Sequence, residues 1–155
     1  MTEHTLVNHG LIEHSHLTGR DCLEIDLPAV PEQVGSARRA VADFLRCRAW
    51  DDDDADALLL AVGEACNNAV NYGGGQPDSR FCVHCRTLAC GCLQIDVRNQ
   101  GSGFYPDLYD YGQLPEDKFA THGRGFGLML ALADSVQVLA EEGDTVVRLT
   151  KSRTV

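Results

Sequence analysis

Four polar side chains recur along one face of a predicted helix in the first half of the chain. At 100° per residue, the spacing i, i+3, i+4 and i+7 is occupied by Glu64, Asn67, Asn68 and Asn71. A solvated helix face normally carries Lys, Glu and Arg, whereas each Asn costs roughly 0.5 kcal/mol relative to Ala. Three Asn and no Lys or Arg therefore indicate a face that lines a binding site. The alternative is a surface helix with a chance cluster of Asn.

The opposite face of this helix is apolar and predicts burial against a core. It consists of Leu58, Leu59, Val62, Ala65, Cys66, Ala69, Val70 and Tyr72. Acidic residues 51–54 suit the positive N-terminal end of the helix, and Gly73-Gly74-Gly75 predicts its C-terminal end.

Two glycine-rich segments follow the helix. The first is Asn99-Gln100-Gly101-Ser102-Gly103, and the second is Gly123-Arg124-Gly125-Phe126-Gly127, which leads into a predicted short helix over 128–133. Glycines let backbone N–H groups approach an anion, and a helix N-terminus favours phosphate. Residues 104–122 are too long for an ordinary connection and predict a lid.

The remaining periodicity predicts a single α/β domain. Strands are predicted over 22–27, 80–86, 92–98, 136–140 and 145–149, and a helix runs from Pro31 to about Cys47. The order β-α-α-β-β-lid-α-β-β predicts a two-layer sandwich in which a mixed, largely antiparallel sheet carries its helices on one face. The predicted domain covers 21–155, and residues 1–20 form a polar tail or an added edge strand over Thr5–Ile12.

Composition excludes several classes of protein. The 155 residues carry a formal net charge of −10, which argues against direct binding of nucleic acid. The longest apolar run, Leu58–Val62, is too short to cross a membrane, and the first residues do not resemble a signal peptide. Seven cysteines without a secretory signal predict free thiols and a cytoplasmic protein.

Five metal-ligating residues cluster around the predicted hairpin, namely Cys82, His84, Cys85, Cys90 and Cys92. The spacing suggests zinc as one option. In a strand, however, Cys82 and Cys85 point to opposite faces, so a zinc site would require that strand to break. Small buried thiols are the alternative interpretation.

Three segments together resemble the GHKL (Bergerat-fold) superfamily of ATPases and kinases. They are Glu64-Ala65-Cys66-Asn67-Asn68-Ala69-Val70, Asn99-Gln100-Gly101-Ser102-Gly103-Phe104 and Gly123-Arg124-Gly125-Phe126-Gly127-Leu128-Met129. The order and spacing most resemble the small stand-alone serine kinases that act as anti-sigma factors, the RsbW and SpoIIAB group, over about residues 22–151. A histidine kinase or a gyrase-type protein needs further domains that 155 residues do not provide.

The resemblance implies a role for each segment. Asn68 would bind Mg²⁺ through its amide oxygen, and Glu64 would be the general base. The expected ATP-binding residues are Asn68, Asn71, Asn99, Gly101, Gly103, Gly123, Arg124, Gly125, Gly127 and Thr145. Gly101 and Gly103 would lie near adenine, and the second glycine segment would surround the phosphates.

One position departs from the family pattern. The family has Asp at the start of the first glycine segment, where this chain has Asn99. The carboxamide oxygen still accepts a hydrogen bond from the adenine amino group, but without charge assistance. The expected loss is about 1 kcal/mol, or several-fold in affinity. Asp96, three residues earlier on the strand, is expected to face the other side of the sheet.

The resemblance implies an ATP-dependent protein serine kinase. Such a protein would bind a sigma factor and phosphorylate an anti-anti-sigma protein of the STAS type, and a homodimer is one expected assembly. The sequence leaves two alternatives open: a non-catalytic GHKL-fold binding module whose nucleotide site has lapsed at Asn99, and a zinc-stabilised interaction domain.

Overall fold

The computed structural model describes residues 22–73, 77–100 and 121–153, with the backbone alone for 121–126. The elements, in chain order, are β1 (Cys22–Pro28), α1 (Glu32–Cys47), α2 (Asp52–Gly73), β2 (Arg80–Thr87), β3 (Leu93–Asn99), α3 (Thr121–Leu132), β4 (Ser135–Glu141) and β5 (Asp144–Lys151). The expected order and the two-layer architecture are confirmed. The predicted edge strand at Thr5–Ile12 lies outside the described residues.

The five described strands form one sheet in the order β1-β2-β3-β5-β4, and all four neighbouring pairs are antiparallel. The central strand β3 therefore lies between β2 and β5. Alternate residues of each strand point toward the helices, as Val83, Ile95 and Val147 do, and these side chains are almost completely buried. The core lies between this face of the sheet and the helices.

Helix α2 lies in the middle of the helical layer and contacts α1, α3 and three of the strands. It begins at Asp52, well before the first residue of its apolar pattern, Leu58, and Asp51 acts as its N-cap. The Asp51 carboxylate accepts hydrogen bonds from the backbone N–H groups of Asp53 (3.0 Å) and Asp54 (3.3 Å). The helix ends at Gly73, as the glycine run predicts.

The connection between α1 and α2 is held in place by the end of the chain. Trp50 is buried, and the Arg153 guanidinium stacks on its ring at 4.6 Å. Arg153 also donates hydrogen bonds to the backbone carbonyls of Ala49 (3.2 Å) and Arg48. No helix within the described ranges is long and apolar enough to cross a membrane.

Candidate functional site

The four polar residues of the stripe on α2 differ in how far they are buried. Asn68 is buried, with 7% of its surface exposed, and Glu64 is half-buried one turn earlier. Asn67 and Asn71 are exposed. Helix α2 packs against α1, α3 and three strands, so little of its surface is left to solvent. Tyr72, which the pattern assigns to the apolar face, is 45% exposed, so that assignment was wrong.

Asn99 and Thr145 lie side by side at one end of the central strands. Asn99 is the last residue of β3, and its partner across the ladder is Thr145, the second residue of β5. Both are buried, with 3% and 5% of their surfaces exposed. Polar side chains at this depth interrupt the otherwise apolar row on the helical face of β3, as expected for groups that recognise a ligand.

The C-terminal end of α2 is in direct contact with Asn99. A Cβ atom placed on Gly73 would lie 2.7 Å from both the Cβ and the Nδ2 atoms of Asn99. Real Cβ atoms do not approach this closely, so only glycine fits here without a displacement. The sequence pattern marks Gly73 only as the end of a helix, and nothing in it reveals the contact with Asn99.

Hydrogen bonds near Asn99 orient its carboxamide and tie two strand ends together. The Asn99 Nδ2 group donates to the Gln100 carbonyl at 3.1 Å. The Gln100 Oε1 atom in turn accepts from the Arg80 backbone N–H at 3.3 Å. The Arg80 guanidinium pairs with the Asp26 carboxylate on the edge strand, also at 3.3 Å, so its charge is directed toward β1.

Asp96 does not take part in this site. Its carboxylate faces the side of the sheet that is away from the helices, where the Arg148 guanidinium donates two hydrogen bonds to it, each of 2.8 Å. This pairing raises the pKa of Arg148. The prediction that Asp96 and Asn99 point to opposite faces is confirmed.

The second glycine segment requires a correction. The sequence pattern starts the helix at residue 128, whereas α3 begins at Thr121 and therefore includes Gly123, Arg124, Gly125 and Gly127. The backbone remains helical through these glycines because the apolar residues that follow, Met129 among them, are packed into the core. The first N–H groups of a helix have no intrahelical partner, so that of Gly123 still lies at the positive end of α3, next to Arg124.

The remaining predicted site residues add nothing to the described part of the site. Gly101, Gly103 and most of the predicted lid over 104–122 lie outside the described residues. Asn71 is exposed on α2, near its C-terminal end.

The cysteine cluster does not assemble a metal site. Cys85 is buried in the core, while Cys82 lies on the opposite face of β2. Among the described residues, which include all five members of the cluster, no three His, Cys, Asp or Glu side chains come close enough to hold a metal ion. A zinc-stabilised domain is therefore not supported by the arrangement of these side chains.

The donor chemistry of the α2 site fits a magnesium nucleotide. Asn68 offers an uncharged amide oxygen from a buried position, and Glu64 lies on the same face of the helix, one turn earlier. Mg²⁺ typically takes one or two protein oxygens and completes its coordination with phosphates and water. The residues present are therefore compatible with Mg²⁺ and ATP.

The fold and this arrangement define the class of the protein. Residues 27–151 match the family model described as the histidine kinase-like ATPase domain, and the chain belongs to that family. Within the family it belongs to the RsbW group of serine-protein kinases. It is 31% identical to the serine-protein kinase RsbW of Bacillus velezensis over 140 residues, which covers 83% of this chain and 84% of the relative. It is also 33% identical to RsbW of Bacillus licheniformis over 139 residues, covering 81% and 82%.

Solved structures share the fold. The RsbU and RsbW domains of a Mycobacterium tuberculosis protein superpose with a TM-score of 0.63 at 19% identity, covering 85% of this chain and 32% of that one. The SiaB–SiaC complex of Pseudomonas aeruginosa gives a TM-score of 0.64 at 14% identity, covering 84% and 89%. These likenesses support the α/β sandwich independently of the closer sequence relatives.

Proposed function

We propose that this protein is an anti-sigma factor that uses Mg²⁺ and ATP to phosphorylate a serine of a STAS-type anti-anti-sigma protein. The observation that carries the proposal is that the paired residues Asn99 and Thr145 meet the C-terminal end of α2, the helix that also carries Asn68. All three are buried polar residues, and Gly73 brings the end of α2 against Asn99. Similarity to RsbW serine-protein kinases supports the reaction class, and the proposal extends it to a partner-switching role.

In this proposal each part of the site has a separate task. Asn99, with Thr145 beside it, recognises the adenine, and the backbone of Gly123 and Arg124 contacts the phosphates. Asn68 would hold Mg²⁺, which would neutralise phosphate charge. Glu64 accepts the proton of the attacking serine hydroxyl. Phosphoryl transfer depends mainly on such positioning and charge stabilisation.

Two substitutions on α2 test this division of tasks. Glu64→Gln preserves shape and hydrogen bonding but removes the base, so ATP binding should persist while turnover falls by roughly 10²–10⁴-fold. Asn68→Ala removes a metal ligand, so both Mg²⁺-dependent ATP affinity and phosphoryl transfer should fall. The measurements are phosphate incorporation into the cognate STAS protein and calorimetric titration of Mg-ATP.

The matched control is Asn67→Ala, since Asn67 lies between the two tested residues but is exposed and has no assigned role. It should retain both ATP affinity and turnover. Phosphorylation at the wild-type rate by Glu64→Gln would show that Glu64 is not the base.

Asn99 favours a second candidate, a binding module of the same fold without catalysis. In that case the sigma-factor and STAS surfaces remain while the nucleotide site has lapsed. Titration of Mg-ATP separates the two candidates, because the kinase binds it weakly but measurably and the binding module does not bind it.

A further inference from the structure

We propose that Cys90 and Cys92 form a redox-active dithiol, a site at which peroxide produces a disulfide within the turn between β2 and β3. The site is independent of the proposed kinase activity. It lies at the opposite end of β3 from Asn99, a separation of about 20 Å for a strand of this length.

The turn directs the Cys90 thiol toward Cys92. The Cys92 backbone N–H points at the Cys90 Sγ atom, with an N–S distance of 3.4 Å. Two backbone bonds of 2.8 Å, from Leu88 N–H to the Cys92 carbonyl and from Gly91 N–H to the Leu88 carbonyl, maintain this geometry. The Cys90 thiol thus already faces the residue with which it would form the disulfide.

The turn is also accessible to a small oxidant. Cys90 is exposed and Cys92 half-buried. Gly91 adopts φ +91°, and no atom lies within 4 Å of the position where its Cβ would be. Nothing described in the structure thus covers the backbone between the two thiols.

The other thiols of the hairpin are in different surroundings. Burial, followed by the nearby Glu24 and Asp26 carboxylates, raises the pKa of Cys82 to about 12, and burial also raises the pKa of Cys85. Hydrogen bonds from Cys92 lower the pKa of Cys90. Since the thiolate is the reactive form, Cys90 is the nucleophile of this pair.

The reaction balances with hydrogen peroxide as the only co-reactant. The Cys90 sulfur attacks one peroxide oxygen, the O–O bond breaks, and the products are a Cys90 sulfenic acid and one water. The Cys92 sulfur then attacks the Cys90 sulfur, the S–O bond breaks, and the Cys92 proton leaves with the hydroxide as a second water. Two thiols lose two electrons and two protons, and the peroxide is reduced to two waters.

Trypsin separates the proposed site from an internal control. Cleavage after Arg80, Arg86 and Arg98 gives peptide 87–98, which contains only Cys90 and Cys92, and peptide 81–86, which contains only Cys82 and Cys85. The reduced full-length protein is treated with peroxide, unfolded in urea in the presence of iodoacetamide so that buried thiols also react, digested and analysed by mass spectrometry. Peptide 87–98 should lose two hydrogens and escape alkylation, and a thiol reductant should reverse this change. Peptide 81–86 should be alkylated at both cysteines.

Two single variants test the order of the steps. Cys92→Ser should abolish the disulfide and leave a Cys90 sulfenic acid that dimedone traps. Cys90→Ser should lose both the disulfide and the dimedone adduct of this peptide. Doubly alkylated peptide 87–98 after peroxide, equal oxidation of peptide 81–86, or oxidation mainly to dimers joined through the exposed Cys47 would overturn the proposal.

Discussion

Asn99 makes a hydrogen bond within the chain that the aspartate of the family pattern could not make. Its Nδ2 group donates to the Gln100 carbonyl, a bond that a carboxylate cannot make. The amide thus fits the folded chain better than an aspartate, while its uncharged oxygen is a weaker acceptor for an amino group. If Asn99 recognises adenine as proposed, the departure from the family pattern exchanges affinity for local stability.

The substitution Asn99→Asp should tighten Mg-ATP binding several-fold, because a charged acceptor strengthens the hydrogen bond by about 1 kcal/mol. Without nucleotide it should lower the melting temperature by about 2–4 °C, because one hydrogen bond is lost and a charge is buried. Calorimetry and thermal unfolding measure the two effects. Absence of ATP binding in both forms would contradict the kinase proposal.

Gly73 should affect nucleotide binding through Asn99. Gly73→Ala forces the new methyl group against Asn99, so we expect Mg-ATP affinity to fall by roughly tenfold, about 1.4 kcal/mol. Gly35→Ala is the matched control, since its Cβ would meet only the end of Arg39 at 3.5 Å. In an Asn99→Gly background, which removes the Cβ atom that the new methyl group would meet, Gly73→Ala should have a much smaller effect on affinity. An equal loss in both backgrounds would show that Gly73 does not act through Asn99.

At the scale of elements, the ends of the helices position the chemistry. Helix α2 carries Glu64 and Asn68 along its length and contacts Asn99 through its last residue. Anything that frays its first turn therefore weakens the element on which the candidate site is built. The acidic run before α2 serves this purpose through one residue, because Asp51 accepts the two backbone hydrogen bonds that cap the helix.

The substitution Asp51→Ala should cost about 1 kcal/mol, which is typical for the loss of an N-cap. The melting temperature should then fall by about 2–4 °C. Asp56→Ala is the matched control, because Asp56 belongs to the same acidic run but is exposed within the helix. It should change stability by less than about 0.5 kcal/mol. Equal effects of the two substitutions would argue that general charge, and not capping, governs this helix end.

At the scale of the whole molecule, the two faces of the sheet are stabilised differently. The helical face is apolar, whereas the other face carries arginine–carboxylate pairs between strands. Arg148 joins β5 to β3 through Asp96, and Arg98 joins β3 to the turn between β4 and β5 through Glu141 and Asp144. The charged pairs thus link the strands in the half of the sheet to which Asn99 and Thr145 belong.

The substitution Arg148→Gln should lower the free energy of unfolding by about 1.5–3 kcal/mol, the range for hydrogen bonds to charged groups. The Asp96–Arg148 pair is only 17% and 25% exposed, which limits its screening by solvent. Arg46→Gln is the control, since its pair with Asp43 is 69–71% exposed and should contribute less than about 1 kcal/mol. Urea unfolding measures both. Similar losses would show that these cross-strand hydrogen bonds contribute no more to the free energy of unfolding than an exposed ion pair does.

The sequence alone determined the element order and the two-layer sandwich. Local patterns suffice for this: alternation identifies β1, the 3.6-residue period identifies α1, and the glycine run ends α2 at Gly73. The resemblance carried by the Glu64–Asn68 helix and the glycine segments led to the histidine kinase-like ATPase family, which the comparisons confirm. The roles assigned to individual site residues remain predictions.

Only the tertiary structure decided which of these residues meet. Asn68 is buried while its neighbour Asn67 is exposed, because the segments that pack around α2 come from distant parts of the chain. Asn99 lies beside Thr145 because β5, and not β4, pairs with β3. The burial of Asn68 and the pairing of Asn99 with Thr145 depend on how distant segments pack and on strand register. The local periodicity of the sequence carries no information about either.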